Sequence, residues 1–353
     1  MLHTVWFVII AFFWTGFFVL EGFDFGVGVL HTIVGRTETE RRVAINAIGP
    51  FWDGNEVWLI IAGASMFAAF PGWYATMFSS LYLALLLILA ALMARGVSFE
   101  YRGKVSDARW GNAWTWAMTL GSALAPLLIG IGLGDLLVGL PINANHNYTG
   151  NFFDLLTGYG IFTGLTLLGL SVLHGATFLG LKTTGAVHDR SRRVAMRFGW
   201  VAIALVIAFT VWTQLLHTTR IVPDPLESLA IVSVIAAVWL VSLGYEIFAF
   251  TASALAMGAT LATLFSNLYP KVMISSTNAA YSLTAANSSS GHYALTVMTI
   301  VAAIFVPVIL IYQGWSYHVF RARVSGPPAP GVAEPAAGSD GGAGASAADL
   351  ATP

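Results

Sequence analysis

The sequence predicts an all-α protein that crosses a membrane about nine times. Three observations carry that expectation. Of the 353 residues, 57% are hydrophobic and only 9% are charged, against about 25% charged in soluble domains. Apolar stretches of spanning length recur along the chain. The basic residues, finally, fall in alternate loops. A soluble body of this size could not hide so much apolar surface, so lipid is the expected solvent.

A helix needs about 20 predominantly apolar residues to cross the hydrocarbon core. Nine segments qualify: residues 5–34, 52–70, 74–94, 113–138, 155–180, 195–216, 227–247, 250–268 and 293–319. The first is long enough to tilt or protrude. It lacks a positive leading region and contains Glu21 and Asp24, so it reads as a span and not as a cleavable signal peptide. Phe70-Pro71-Gly72-Trp73 breaks the second span from the third. The seventh and eighth are nearly continuous, with the break expected near Glu246–Phe250.

All but two of the 16 Lys and Arg residues sit in odd-numbered loops or the C-terminal flank. Loop one holds Arg36, Arg41 and Arg42. Loop three holds Arg95, Arg102, Lys104 and Arg109. Loop five holds Lys182, Arg190, Arg192, Arg193 and Arg197, and the flank holds Arg321 and Arg323. Only Arg220 and Lys271 depart from the pattern. The positive-inside rule then puts the C-terminus in the cytoplasm and the N-terminus outside. Residues 1–323 form one transmembrane domain. Residues 324–353 are rich in Pro, Gly, Ala and Ser and read as a disordered cytoplasmic tail.

Composition also excludes functions. A net charge of −1 offers no basic face for nucleic acid. The absence of cysteine rules out disulfides, iron–sulfur clusters and thiolate-bound metals. No metal-binding spacing such as HExxH occurs. Of the eight histidines only His174 lies well within a span. Transmembrane haem needs facing ligands from different helices, and a single buried histidine is more often hydrogen-bonded to a neighbour. The Gly22–Gly26, Gly130–Gly134 and Gly160–Gly164 pairs allow close helix approach. Trp6, Trp52, Trp73, Trp110, Trp114 and Trp315 are placed as interface anchors.

Ionisable groups inside a membrane cost about 2.5–3.5 kcal/mol each on insertion scales. Glu21 and Asp24 are three apart and share a face of the first span. Asp53 and Glu56 repeat that spacing at the start of the second. Both pairs fall toward the cytoplasmic ends, where they could converge. A carboxyl held in low dielectric tends to keep its proton, the property a proton relay needs. The plainer alternative is that Asp53 caps its helix and Glu56 favours the same dipole end, with Glu21 and Asp24 pairing to Arg or to backbone donors. Glu100, flanked by Arg95 and Arg102, reads as a surface ion pair. Asp135 and Glu246 are single acids without an assigned role.

Several strings are distinctive when taken in order. They are Gly22-Phe23-Asp24-Phe25-Gly26-Val27-Gly28, then Arg41-Arg42, then Gly49-Pro50-Phe51-Trp52-Asp53-Gly54-Asn55-Glu56-Val57-Trp58. Arg95-Gly96-Val97-Ser98-Phe99-Glu100-Tyr101-Arg102 follows, then Tyr148-Thr149-Gly150-Asn151-Phe152-Phe153, Gly175-Ala176-Thr177 and Val306-Pro307-Val308. This set closely resembles subunit II of the cytochrome bd quinol oxidases, from the first span to the ninth. The tail after Arg323 lies outside the resemblance.

The resemblance implies a fold of two four-helix bundles plus one extra helix, in a bacterial cell membrane. It implies a complex that oxidises quinol and reduces dioxygen to water, generating a proton gradient. Low-spin haem b, high-spin haem b, haem d and the quinol site would belong to the partner, subunit I, in a heterodimer. No catalytic, cofactor-binding or metal residue is then expected here. The resemblance leaves room for a small single-helix accessory subunit, for lipid, and for a structural quinone of the kind some members bind. Subunit II would hold the complex together and line part of a proton path from the cytoplasm. The WDGN match makes Asp53 the leading path residue, with Trp52 beside it and Asp24, Glu56 and Glu21 behind. Glu100 stands where relatives can carry Asp, one methylene shorter in reach. Two rival readings are a secondary transporter, which suits many spans and buried acids but should show an internal repeat, and a purely structural anchor.

Overall fold

In the computed structural model, residues 1–217 and 224–325 are described. Among them the chain forms eleven α-helices and a two-stranded hairpin. The helices are α1 (Leu2–Val34), α2 (Glu38–Ile48), α3 (Trp52–Ala69), α4 (Pro71–Ser80), α5 (Tyr82–Tyr101), α6 (Ala108–Val138), α7 (Gly158–Lys182), α8 (Gly185–His217), α9 (Pro225–Leu243), α10 (Glu246–Leu268) and α11 (His292–Val319). Strands β1 (Lys271–Met273) and β2 (Leu283–Thr284) pair antiparallel.

Eight of these helices are long and apolar enough to cross a membrane. The expected second span, α3, has 18 residues, about 27 Å at 1.5 Å per residue. It falls short in apolarity because Asp53, Asn55 and Glu56 lie in its first turns. Its length still matches the hydrocarbon core.

The contacts group the helices into two sets of four, joined through α1–α7 and α6–α7. α1, α3, α5 and α6 form the first, and α7, α8, α9 and α10 close the second. α11 touches only α1 and α3 to any extent, and Leu295 is its one buried residue. The architecture is thus the two bundles and peripheral helix that the family resemblance implies.

α1 and α7 are the seam between the bundles. Residues 21–28 of α1 and 171–180 of α7 are buried without a break, so neither stretch shows an amphipathic stripe. They meet at Gly26 and Gly175. A Cβ on Gly26 would sit 1.9 Å from the Ser171 carbonyl oxygen, and one on Gly175 would sit 2.5 Å from the Gly26 backbone. α6 meets α7 in the same way, a Cβ on Gly130 falling 2.6 Å from the Gly164 Cα. With lipid as solvent, such backbone contact replaces the hydrophobic drive that pulls soluble helices together.

Several elements differ from the sequence expectation, each for a local reason. Loop one contains α2, started by a Thr37–Glu40 capping box in which each side chain accepts from the other's backbone N–H. The third span breaks at Leu81 and runs on to Tyr101, well past Ala94. The fifth begins only at Gly158, where the Thr157 hydroxyl accepts from the Gly160 N–H at 2.9 Å. α8 begins at Gly185, so the arginines assigned to loop five form its first turns. The break between α9 and α10 lies at Gly244, whose φ of +81° ends α9 in a left-handed turn, and not at residues 246–250. Trp6 and Trp73 are buried and serve as packing, Trp6 donating to the Thr299 hydroxyl at 3.0 Å. Residues 326–353 of the expected tail lie outside the described residues. Val324 belongs to the body, its N–H donating to the Lys182 carbonyl at 2.7 Å.

One end of the molecule gathers the basic segments. Arg102 forks onto Glu38 of α2, both bonds at 2.7 Å. Arg190 of α8 reaches Glu40 of α2 and the Val34 carbonyl, each at 2.7 Å. Arg323 and His188 both meet Glu246. At the other end the hairpin and the 139–157 connection pack together, Leu140 donating to Ile274. Asp135 is held there by the Thr157 hydroxyl at 2.6 Å.

Candidate functional site

Within the first bundle, α1, α3 and α5 converge on a buried polar cluster. α1 supplies Glu21 and Asp24, both fully buried. α3 supplies Asn55 and Glu56. α5 supplies Arg95, which the charge count had placed in a loop and which is 0% exposed. Its position follows from helical spacing. Ile88, Ala91, Arg95, Ser98 and Arg102 recur at three and four residues and are all buried, so one face of α5 turns inward down its whole length.

Arg95 forms a close ion pair with Glu21 and lies 3.5 Å from Glu56. Its guanidinium sits over the rings of Phe25 and Phe99, 4.9 and 5.4 Å from their centroids. Trp52 stacks on the other partner of this wall, Phe99, at 4.7 Å. Aromatic faces thus take the place of hydration around the cation.

Asn55 organises the second half of the cluster. Its amide nitrogen donates to Asp24 Oδ2 at 2.7 Å and to the Leu20 carbonyl at 3.1 Å. Its oxygen accepts from Gln313 Nε2 at 2.8 Å and from the Tyr317 hydroxyl at 3.1 Å. All four hydrogen-bonding positions of the amide are used, which fixes its orientation. Asp24 Oδ1 makes no hydrogen bond among the described residues, whereas Glu21 and Arg95 are engaged with each other as an ion pair. Buried polar atoms in native proteins are nearly always satisfied, so Asp24 Oδ1 has capacity left for a further partner.

Charge counting states what the cluster can do. Arg95 is shared by Glu21 and Glu56, and Asp24 lies one helical turn from Glu21, so three carboxyls are gathered around one guanidinium. Unpaired charge in low dielectric is costly, which makes a cluster of this composition a candidate place for a bound proton.

The structure brings Glu21, Asp24 and Glu56 together, as the spacing suggested, but not all the acids named with them. Asp53 is exposed one turn before Glu56. Both line an open groove of about 470 Å³ with Trp52, Met93 and Gly96. Asp53 makes no side-chain capping bond. Glu100 is exposed and forms no ion pair among the described residues, because Arg95 turns inward and Arg102 is taken by Glu38. Arg95, Asn55, Gln313 and Tyr317 were missed. The Arg95 signal lay in the buried stripe of α5, while no local pattern marked the α11 residues.

A haem-ligating role does not fit His174. Its Nδ1 is bonded to the Ser253 hydroxyl at 2.7 Å and its Nε2 to the Val19 carbonyl at 3.1 Å, and Phe250 stacks on the ring at 4.6 Å. No group of three or more His, Asp or Glu among the described residues could hold a metal ion.

Comparison with known proteins agrees with this architecture. A family model described as cytochrome bd terminal oxidase subunit II matches residues 2–320. The chain is 40% identical over 328 residues to the cytochrome bd ubiquinol oxidase subunit 2 of Bacillus subtilis, covering 92% of this chain and 97% of that one. It is 36% identical over 362 residues to the cytochrome bd-I ubiquinol oxidase subunit 2 of Escherichia coli K12, covering 92% and 96%. The fold superposes on a chain of the bd oxidase from Geobacillus thermodenitrificans with a TM-score of 0.69, at 14% identity, over 90% of this chain and 97% of that one.

Proposed function

The chain belongs to the cytochrome bd terminal oxidase subunit II family, and from that premise we propose that its buried acid cluster relays protons to an oxygen-reducing partner. The protein is a subunit of a bd-type terminal oxidase, a quinol:oxygen oxidoreductase complex in a bacterial membrane. Reduction of dioxygen takes up protons, and quinol oxidation releases them. When the two events draw on opposite sides of the membrane, they build a gradient without a pump.

The proposed route starts at Asp53, exposed in the groove beside Trp52. It continues to Glu56 one turn along α3, crosses Arg95 to Glu21, and ends on Asp24. The observation that carries it is the three-carboxyl, one-guanidinium cluster, with Asp24 Oδ1 free of hydrogen bonds. Asp24 takes its proton on Oδ1, the free oxygen, while Oδ2 keeps the Asn55 bond. Glu100 stands near the same face as an auxiliary acid. The basic end of the molecule lies in the cytoplasm on this reading, with the N-terminus outside.

Haems b and d are assigned to subunit I, in keeping with the occupied nitrogens of His174. This chain contributes support: the close α1–α7 contact in its interior makes it a rigid body for the partner to pack against. An apolar cavity of about 540 Å³ between α1, α3, α4, α5 and α6, lined by Trp14, Phe67, Tyr74 and Leu128 among others, has the size of a small-molecule site. It suits the ring or isoprenoid tail of a structural quinone.

The test is oxygen uptake by the purified complex carrying Asp53→Asn or Asp24→Asn. Slowed turnover with intact assembly is expected for both. Full turnover across the pH range for either would remove that residue from the route. A purely structural role predicts loss of assembly with normal turnover in what remains.

A further inference from the structure

The basic end contains a second feature, separate from the acid cluster. A groove of about 450 Å³ runs between the end of α1 and the first turns of α8, lined by Arg36, Arg190, Arg193, Arg197, Ile33, Phe198 and others. We propose that this groove binds one anionic phospholipid, its phosphate held by Arg36, Arg193 and Arg197 and its acyl chain laid along Ile33, Phe198 and Val201.

The argument begins with spacing. Arg190, Arg193, Arg197 and Val201 recur at three and four residues, so they share one face of α8. Along that face the chemistry changes from guanidinium to hydrocarbon within about 12 Å, the rise of eight helical residues. A phospholipid has the same gradient, from phosphate to acyl chain. Ile33 is 56% and Val201 47% exposed, so the apolar half of the groove opens outward to lipid. Exposed Trp200 lies at the same level, where amphipathic rings favour the headgroup boundary.

Charge bookkeeping then selects an anion. Among the described residues the one carboxylate that meets these arginines is Glu40, and both its oxygens are taken by Arg190, at 2.7 and 3.1 Å. Arg190 also donates to the Val34 carbonyl, which closes the end of α1 and holds the groove's back wall. Arg36, Arg193 and Arg197 form no ion pair there. Arg193 Nε makes only a long bond, 3.3 Å, to its own helix at the Asp189 carbonyl. Three guanidiniums without counterions therefore surround one space. Arginine binds phosphate oxygens by paired N–H donors, and basic pockets between spanning helices are suited to anionic headgroups.

The experiment uses the whole complex, purified and placed in nanodiscs of phosphatidylglycerol and phosphatidylcholine. After re-extraction, retained lipid is counted per complex by mass spectrometry. The wild type is expected to keep phosphatidylglycerol selectively, and Arg36→Gln/Arg193→Gln/Arg197→Gln to keep about tenfold less, a loss of about 1.4 kcal/mol. Phosphatidylcholine retention should be equal in both. Arg193→Lys/Arg197→Lys, which keeps charge, should retain most of the lipid, and raising salt should weaken retention in the wild type. Oxygen uptake and co-purification of the partner check assembly. Should the triple variant not assemble, the single Arg197→Gln and the salt series decide. Equal phosphatidylglycerol in wild type and variant overturns the proposal. So does an unselective wild type, or displacement of the lipid by glycerophosphate as effectively as by phosphatidylglycerol itself, which would mark a simple anion site.

Discussion

Arg95 of α5 and Glu21 of α1 form an ion pair in which both side chains are completely buried. Removing one partner leaves the other charged and unpaired in low dielectric, a loss of about 3–5 kcal/mol. Arg95→Met should therefore sharply reduce the yield and melting temperature of the purified complex. Arg95→Met combined with Glu21→Gln should recover part of both, because the buried Glu21 carboxylate is no longer left without its partner. A double variant as unstable as Arg95→Met alone would show that the arginine acts through its packing on Phe25 and Phe99 instead.

Glu56 bridges the exposed groove and the buried pair, 3.5 Å from Arg95. Glu56→Gln keeps the shape and removes the proton-carrying oxygen. Turnover is expected to fall about tenfold, equal to about 1.4 kcal/mol in the barrier, with subunit content unchanged. Single-turnover oxygen reactions followed in heavy water would show a larger isotope effect than the wild type if proton delivery had become limiting.

Tyr317→Phe deletes one of the two donors to the Asn55 oxygen, and Gln313 remains. The net cost is about 1 kcal/mol, read as a small fall in melting temperature. Tyr317→Phe with Gln313→Leu leaves that oxygen bare and should cost clearly more than twice the single change. Strict additivity would argue that α11 is held by its apolar contacts alone.

Gly26→Val puts branched carbons where the Ser171 carbonyl already lies within 1.9 Å of a Cβ position. The α1–α7 seam cannot open locally, since both stretches are buried on every side. The variant should fail to accumulate in the membrane. Gly180→Ala on α7, where nothing lies within 4 Å of the added carbon, should accumulate normally and serves as the control.

Hydrogen bonds from Arg190 hold the Glu40 carboxyl down to about 2, against an ordinary value of 4.5. The folded state thus binds this proton less readily than the unfolded chain. The pair's stabilisation is complete above about 4.5 and is lost as pH falls toward about 2. The hydrogen bonds of Arg102 and Arg42 likewise outweigh burial and lower Glu38. Hydrogen exchange in α2, corrected for intrinsic rates, should show protection falling over that window. In Glu40→Gln the pH dependence should shrink and the protection should be low throughout.

What depends on local composition is legible in the sequence. Spans follow from apolar length, the α3–α4 break from Phe70-Pro71, and the close helix contacts from glycine pairs. The acids of the cluster were legible because carboxyls are rare in lipid. Arg95 was not, because a charged residue after twenty apolar ones looks like a loop until the stripe from Ile88 to Arg102 is traced through it. Asn55 sat inside a distinctive string, yet its partners lie more than 250 residues away on α11, and no periodicity connects them. α2 was missed for a different reason. Its Thr37–Glu40 capping box is a readable signal, but it falls in a segment that hydropathy alone assigns to a loop.

Asn55 holds Asp24 with one end of its amide and α11 with the other. Its two halves cannot reorient separately, so on the proposed route the seating of α11 and the protonation of Asp24 would be linked equilibria. If loading a proton onto Asp24 loosens the amide, it must loosen α11 by the same free energy, and pressing α11 inward must resist that proton equally. At its other end α11 is held by Trp6, whose indole N–H donates to the Leu295 carbonyl and the Thr299 hydroxyl. A neighbour leaning on this outermost helix would then act as a throttle on proton traffic without touching any acid.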